Sequence, residues 1–170
     1  TQSGGENPKT LVLRTAAGVG LIGQYNRRAG LSPFERFYLG GVFLSGFVLD
    51  GREILNLRGY DDLSLTAPDR NTGAPVVAKY SAELRYPLST NPSATIYTLA
   101  FLEGGNTWED PRAFNPFQVY RSAGVGMRIF LPMFGLLGLD YGWRLDDLES
   151  VPNMDRAQFH FSIGMNMGEL

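Results

Sequence analysis

The stretch "VVAKYSAELRYPL", Val76 to Leu88, constrains this chain more than any other. Val76, Ala78, Tyr80, Ala82, Leu84, Tyr86 and Leu88 occupy one set of alternate positions. Val77, Lys79, Ser81, Glu83, Arg85 and Pro87 occupy the other. Successive side chains of a strand point to opposite faces, so this pattern makes a strand with one apolar and one mixed polar face. A helix would scatter Lys79 and Glu83 among the apolar positions. Any fold must therefore bury or solvate two chemically different faces of a sheet.

The design recurs. "LVLRTAAGVGLIGQY" sets Leu11, Leu13, Thr15, Ala17, Val19, Leu21 and Tyr25 against Val12, Arg14, Gly18, Gly20 and Gln24. "SAGVGMRIFL" sets Ala123, Val125, Met127, Ile129 and Leu131 against Ser122, Gly124, Gly126, Arg128 and Phe130. "LLGLDYGWRL" sets Leu137, Leu139, Tyr141, Trp143 and Leu145 against Gly138, Asp140, Gly142 and Arg144. "QFHFSIGMNM" sets Phe159, Phe161, Ile163, Met165 and Met167 against Gln158, His160, Ser162, Gly164 and Asn166. "PFERFYLGG" is short, and "ATIYTLAFLEGG" is apolar on both faces until Glu103. The pattern predicts an all-β chain of about seven strands and no helix.

Soluble sandwich strands average about five or six residues, whereas a tilted membrane-crossing strand needs about 9–11. The predicted strands match the second length, and their polar faces are rich in glycine and sparse in charge, as suits the wall of a wet lumen. Soluble up-and-down barrels carry apolar residues inside instead, and alternation alone leaves the sidedness open. The connections favour a membrane barrel. A modest turn, "NRRAGLSP", is followed by a long segment from about Val42 to Pro75. Then come a short "STNPS", a long "NTWEDPRAFNPFQ", a tight turn near "PMFG" and a long "DDLESVPNMDRA". Outer-membrane barrels alternate short periplasmic turns with long extracellular loops. Seven strands are too few to close such a barrel, and open apolar edges aggregate. The chain is therefore expected to be part of a larger transmembrane barrel, missing its N-terminal strands.

Composition removes several functions. With 15 Lys+Arg against 17 Asp+Glu there is no sequence-wide basic surface for nucleic acid. The chain has no cysteine and only one histidine, His160, so thiolate chemistry and a multi-histidine metal site are excluded. Asp61, Asp62, Asp69 and Asn71 lack calcium-loop spacing and its closing glutamate. No nucleophile elbow, P-loop or dinucleotide fingerprint is present. No catalytic residue, metal or cofactor is expected, and His160 reads as a lumen-facing polar filler. Tyr25, Tyr86, Trp108 and Trp143 near strand ends read as interfacial girdle residues.

Four motifs, in order, carry a family resemblance. "LRGY", Leu57 to Tyr60, resembles the [VI]-R-G-[FY] loop motif of the BamA family of outer-membrane protein assembly factors, within the bacterial surface antigen barrel superfamily; "FYLGG" stands at the family's upstream glycine pair. "FLEGG", Phe101 to Gly105, resembles its F-x-[DE]-x-G strand motif. "GVGMRIFLPMFGLLGLDYG" resembles its hairpin before the last strand, and "FHFSIGMNM" its terminal strand. The loop wording is closest to members from Bacteroidota. Leu57 replaces the usual β-branched residue, and the chain ends without the usual terminal aromatic.

The resemblance implies that residues 1–170 are the C-terminal segment of a transmembrane barrel domain in the bacterial outer membrane, N-terminal strands and periplasmic domains absent: about seven strands, the tenth to sixteenth of a sixteen-stranded barrel, with a long extracellular loop folded inward. It implies no enzyme but an insertase working with the lipid bilayer, unfolded β-barrel clients and accessory assembly lipoproteins. Arg58 of the loop motif, with Gly59 and Tyr60, would reach Glu103 on the lumen wall. Arg128 and Asp140 would join that network or balance charge in the channel, and Tyr60 would anchor the loop. The last strand, with Phe159, Phe161, Gly164 and Met167, would form one lip of a lateral seam, Gly164 permitting a kink. Alternatives from the same superfamily are a polypeptide-secretion pore and the membrane barrel of a patatin-like lipase; a soluble ligand-binding barrel is a further alternative.

Overall fold

The computed structural model describes residues 10–23, 35–42, 52–91, 93–132, 135–148 and 155–164. Eight strands follow in chain order: β1 (Val12–Leu21), β2 (Phe37–Leu39), β3 (Glu53–Leu55), β4 (Val76–Asn91), β5 (Ala94–Trp108), β6 (Tyr120–Leu131), β7 (Gly135–Arg144) and β8 (Ala157–Ile163). Six of them form one antiparallel sheet in the order β1-β4-β5-β6-β7-β8. The described residues contain no α-helix, and the fold is all-β, part of a barrel that this segment does not close.

Among the described residues the sheet holds six strands, one fewer than the alternation suggested. "FYL", Phe37 to Leu39, was the seventh expected wall strand. It is three residues long, buried at every position, and pairs in parallel with β3. Both strands lie within the connection from β1 to β4, which pair directly from Val12↔Arg85 to Leu21↔Val76. A strand buried on both faces belongs to the interior of a folded loop, not to a wall with a lipid side. With it reassigned, the connections between wall strands alternate long, short, long, tight and long.

Sidedness follows from exposure. Leu13, Val19 and Leu21 of β1, Leu84 and Leu88 of β4, Leu102 of β5, Val125 of β6 and Phe159 and Ile163 of β8 are all exposed. Their neighbours one position along face the other way, and Glu83, Glu103, Arg128, Asp140, Arg144 and His160 are buried. Apolar groups outward and ionised groups inward invert the arrangement of a soluble barrel and match a lipid-facing wall.

The concave face is filled by the chain's own loop. Leu39, Leu55, Leu57, Tyr60 and Leu65 of the β1–β4 connection pack with Phe37, Val77 and Leu148 into one apolar cluster. β4 and β5, at 16 and 15 residues, run past the length a membrane crossing needs. At the end they share with the long loops both faces of β4 are buried. Val77 joins the inner cluster, while Val76 and Ala78 pack with Trp108, whose ring meets Phe114 edge-on at 4.9 Å.

Candidate functional site

The loop reaches the wall through a short turn. Leu57 donates its backbone N–H to the Gly41 carbonyl at 2.9 Å and is fully buried, which aims the next residues at the wall. Gly59 sits at φ +86°, a left-handed conformation that a Cβ would strain. A Cβ there would also lie 3.2 Å from the Ser122 Cβ and 3.2 Å from the Trp143 carbonyl carbon, so backbone lies on wall. The wall yields in turn at Gly142, where a Cβ would stand 2.7 Å from the Gly59 nitrogen. A glycine on each side permits the contact.

That approach places Arg58 among three carboxylates. Its Nη2 lies 2.6 Å from Glu103 Oε1 and 2.6 Å from Glu83 Oε1, and its Nη1 lies 3.4 Å from Asp140 Oδ1. The second oxygen of Glu103 accepts the Arg58 backbone N–H at 2.9 Å, so one carboxylate holds both ends of the residue. The guanidinium stacks 3.7 Å above the Phe101 ring. Arg128 forks onto Asp140 with two 2.9 Å bonds, and Arg85 pairs with Glu83. Three arginines thus face three carboxylates in one connected network, and five of the six side chains are 5% exposed or less. Burying so many charges is tolerable only because each has a partner. Burial works against the Arg58 charge, but Glu103, then Asp140 and Glu83, outweigh it and hold its pKa above the ordinary arginine value.

Tyr60 is fully buried and donates its hydroxyl to the Arg121 carbonyl at 2.8 Å, with its ring edge-on to Tyr120. Burial pushes its phenol pKa up, so it stays a donor. Tyr60→Phe is expected to destabilise the folded barrel by about 1 kcal/mol, the net value of one such bond. Denaturant unfolding in detergent checks this, and an unchanged midpoint would contradict it.

Asp140 belongs to the Arg58 network and the Arg128 pair at once. Phe159 and Phe161 point outward, 64% and 38% exposed, and Gly164 leaves the extended region at φ +69° with open space beside it. Met167 and Tyr25 lie outside the described residues. Tyr86 and Trp143 are on the outer surface, Trp143 edge-on to Tyr141 at 4.8 Å. Trp108, expected in the girdle, is instead 6% exposed beneath Phe114, because the loop after β5 folds over it. Asp69 accepts from the Asn71 and Thr72 backbones and the Thr72 hydroxyl, a self-contained turn; among the described residues no three acidic, His or Cys side chains gather as a metal site.

Three participants carried a weaker signal. Glu83 was visible as a charge on the polar face of β4, but only the register that sets it opposite Phe101 reveals its place beside Arg58. Gly142 was one small residue among several. His160 accepts the Gly59 backbone N–H on Nε2 at 2.9 Å, a contact spanning 101 residues that no local pattern encodes.

An antiparallel wall that is apolar outside and charged inside, carrying a loop folded onto its inner face, defines a membrane-spanning β-barrel with an internal plug. The family model for the Omp85 superfamily domain matches residues 5–167, and the chain belongs to that superfamily. No curated protein matches the sequence. Membership supports a role in inserting or secreting proteins at the outer membrane, a task that superfamily barrels generally perform without enzymatic chemistry.

Proposed function

We propose that this chain is the C-terminal part of a BamA-type insertase of the outer membrane, its loops worded like those of Bacteroidota members. It would assemble β-barrel clients with the help of accessory lipoproteins. The supporting observation is the terminal strand. β8 stands at one edge of the described sheet, pairing with β7 from Trp143↔Ala157 to Leu137↔Ile163, with its aromatics turned to the lipid side. A client strand cannot enter hydrocarbon with its backbone N–H and C=O groups unpaired. An edge strand at membrane depth supplies the template, and β-augmentation satisfies the client one strand at a time. The last strand would be one lip of the seam, with Gly164 ending its straight run.

On this reading the six wall strands are the eleventh to sixteenth of a sixteen-stranded barrel, one later at the start than the family resemblance implied. The Arg58 network holds the plug loop in place and has no catalytic part in this reading. Depletion of the full-length protein, followed by an outer-membrane proteome, is expected to show broad loss of unrelated barrels. Loss of one secreted polypeptide with barrels intact would replace the insertase by the secretion-pore reading.

A further inference from the structure

The tip of the loop also holds β8. Gly59 donates its backbone N–H to His160 Nε2 at 2.9 Å, and the Gln158 side-chain amide donates to Asp61 Oδ1. His160, the acceptor, and Gln158, the donor, lie on the inner face of β8, which at seven residues is the shortest wall strand among the described residues. β7 pairs it over that length, whereas β4 and β5 pair over twice as much. Two bonds from the loop are therefore a large share of what holds β8 in position. The same tip is anchored one residue earlier, where Arg58 is gripped by Glu103 and Glu83. Asp140, opposite His160 in the β7–β8 register, contacts Arg58 from the neighbouring strand.

We infer that the loop tip is a clamp on the terminal strand, in which His160 and Gln158 are positioning residues that make the freedom of β8 depend on the seating of Gly59 and Asp61. The proposal deepens the insertase reading and rests on it for its consequence, because a lip of the seam that is tied to the plug can open only as the tip lets go. His160 must present Nε2 as an acceptor, which requires the neutral ring with its proton on Nδ1. A glutamine side chain can offer an oxygen near the same place, and leucine cannot.

The test uses the full-length protein in lipid nanodiscs with hydrogen exchange read by mass spectrometry. In the double variant His160→Leu/Gln158→Leu, amides of residues 157–163 should exchange about tenfold faster, while those of β5 and β6 stay unchanged. His160→Gln should restore slow exchange relative to His160→Leu. Unchanged exchange in β8 overturns the clamp, as does a rise spread equally over β5 and β6. Because the chain has no cysteine, Asp61→Cys with Gln158→Cys can lock the tip to the strand within it. The oxidised form should lose client insertion and recover it on reduction. Faster exchange in the leucine variant together with full insertion by the locked form upholds the clamp and overturns the seam reading.

Discussion

Arg58→Ala is expected to lower the stability of the folded barrel by roughly 3–5 kcal/mol, the cost of breaking a buried ion pair from one side. Without the guanidinium, Glu83 keeps Arg85 and Asp140 keeps Arg128. Glu103, only 7% exposed in the native barrel, loses its guanidinium partner and the fixed position of the Arg58 backbone N–H. Arg58→Lys should recover little, since one ammonium cannot span carboxylates on different strands as a planar fork does. Glu103→Ala should cost a comparable amount, and the double variant much less than the sum, because either change dismantles the same contact. The measurement is the temperature at which the detergent-solubilised barrel loses its folded electrophoretic mobility. Fully additive effects would sink direct pairing as the source of the stability.

Gly142→Val should dislodge the loop without touching a charge. A Cβ at this position would stand 2.7 Å from the Gly59 nitrogen, 2.9 Å from its Cα and 3.2 Å from the Arg58 carbonyl carbon. These are backbone atoms and cannot rotate away, so the tip must lift or β7 must bow. Either movement separates Arg58 from Glu103, and the loss should approach that of Arg58→Ala. Limited trypsin digestion reads it directly, since Arg58 is 3% exposed when seated and becomes cleavable when the tip lifts. Continued protection at Arg58 in Gly142→Val would show that the wall accommodates the side chain and that the seat is not tight.

Much of this was legible before any coordinates. The period-two pattern identified five of the six wall strands, since a lipid-facing wall writes its alternation into each strand separately; β5, apolar on both faces until Glu103, was the less regular one. Val76–Leu88 is readable without knowledge of its neighbours. The misread strand, Phe37–Leu39, shows the limit of that signal. Its three residues are apolar at every position because they fill the inside of a loop, and a short apolar run carries no period. Trp108 failed for a related reason. Its place at a strand end suggested the membrane interface, but Phe114, six residues on in the loop after β5, covers it.

The site divides along the same line. Arg58, Gly59 and Glu103 stood out by motif, and inward-facing charges at Arg128 and Asp140 by alternation. Glu83 as a second partner, Gly142 as the seat, and the bonds from Gly59 to His160 and from Gln158 to Asp61 became visible only once register and loop path were known. Alternation is a property of consecutive residues, so composition and order alone specify which side chains share a face and that the two faces meet different media. Which inward charges meet depends on strand register and on where a long loop returns, and those are settled by packing between segments that lie up to 101 residues apart.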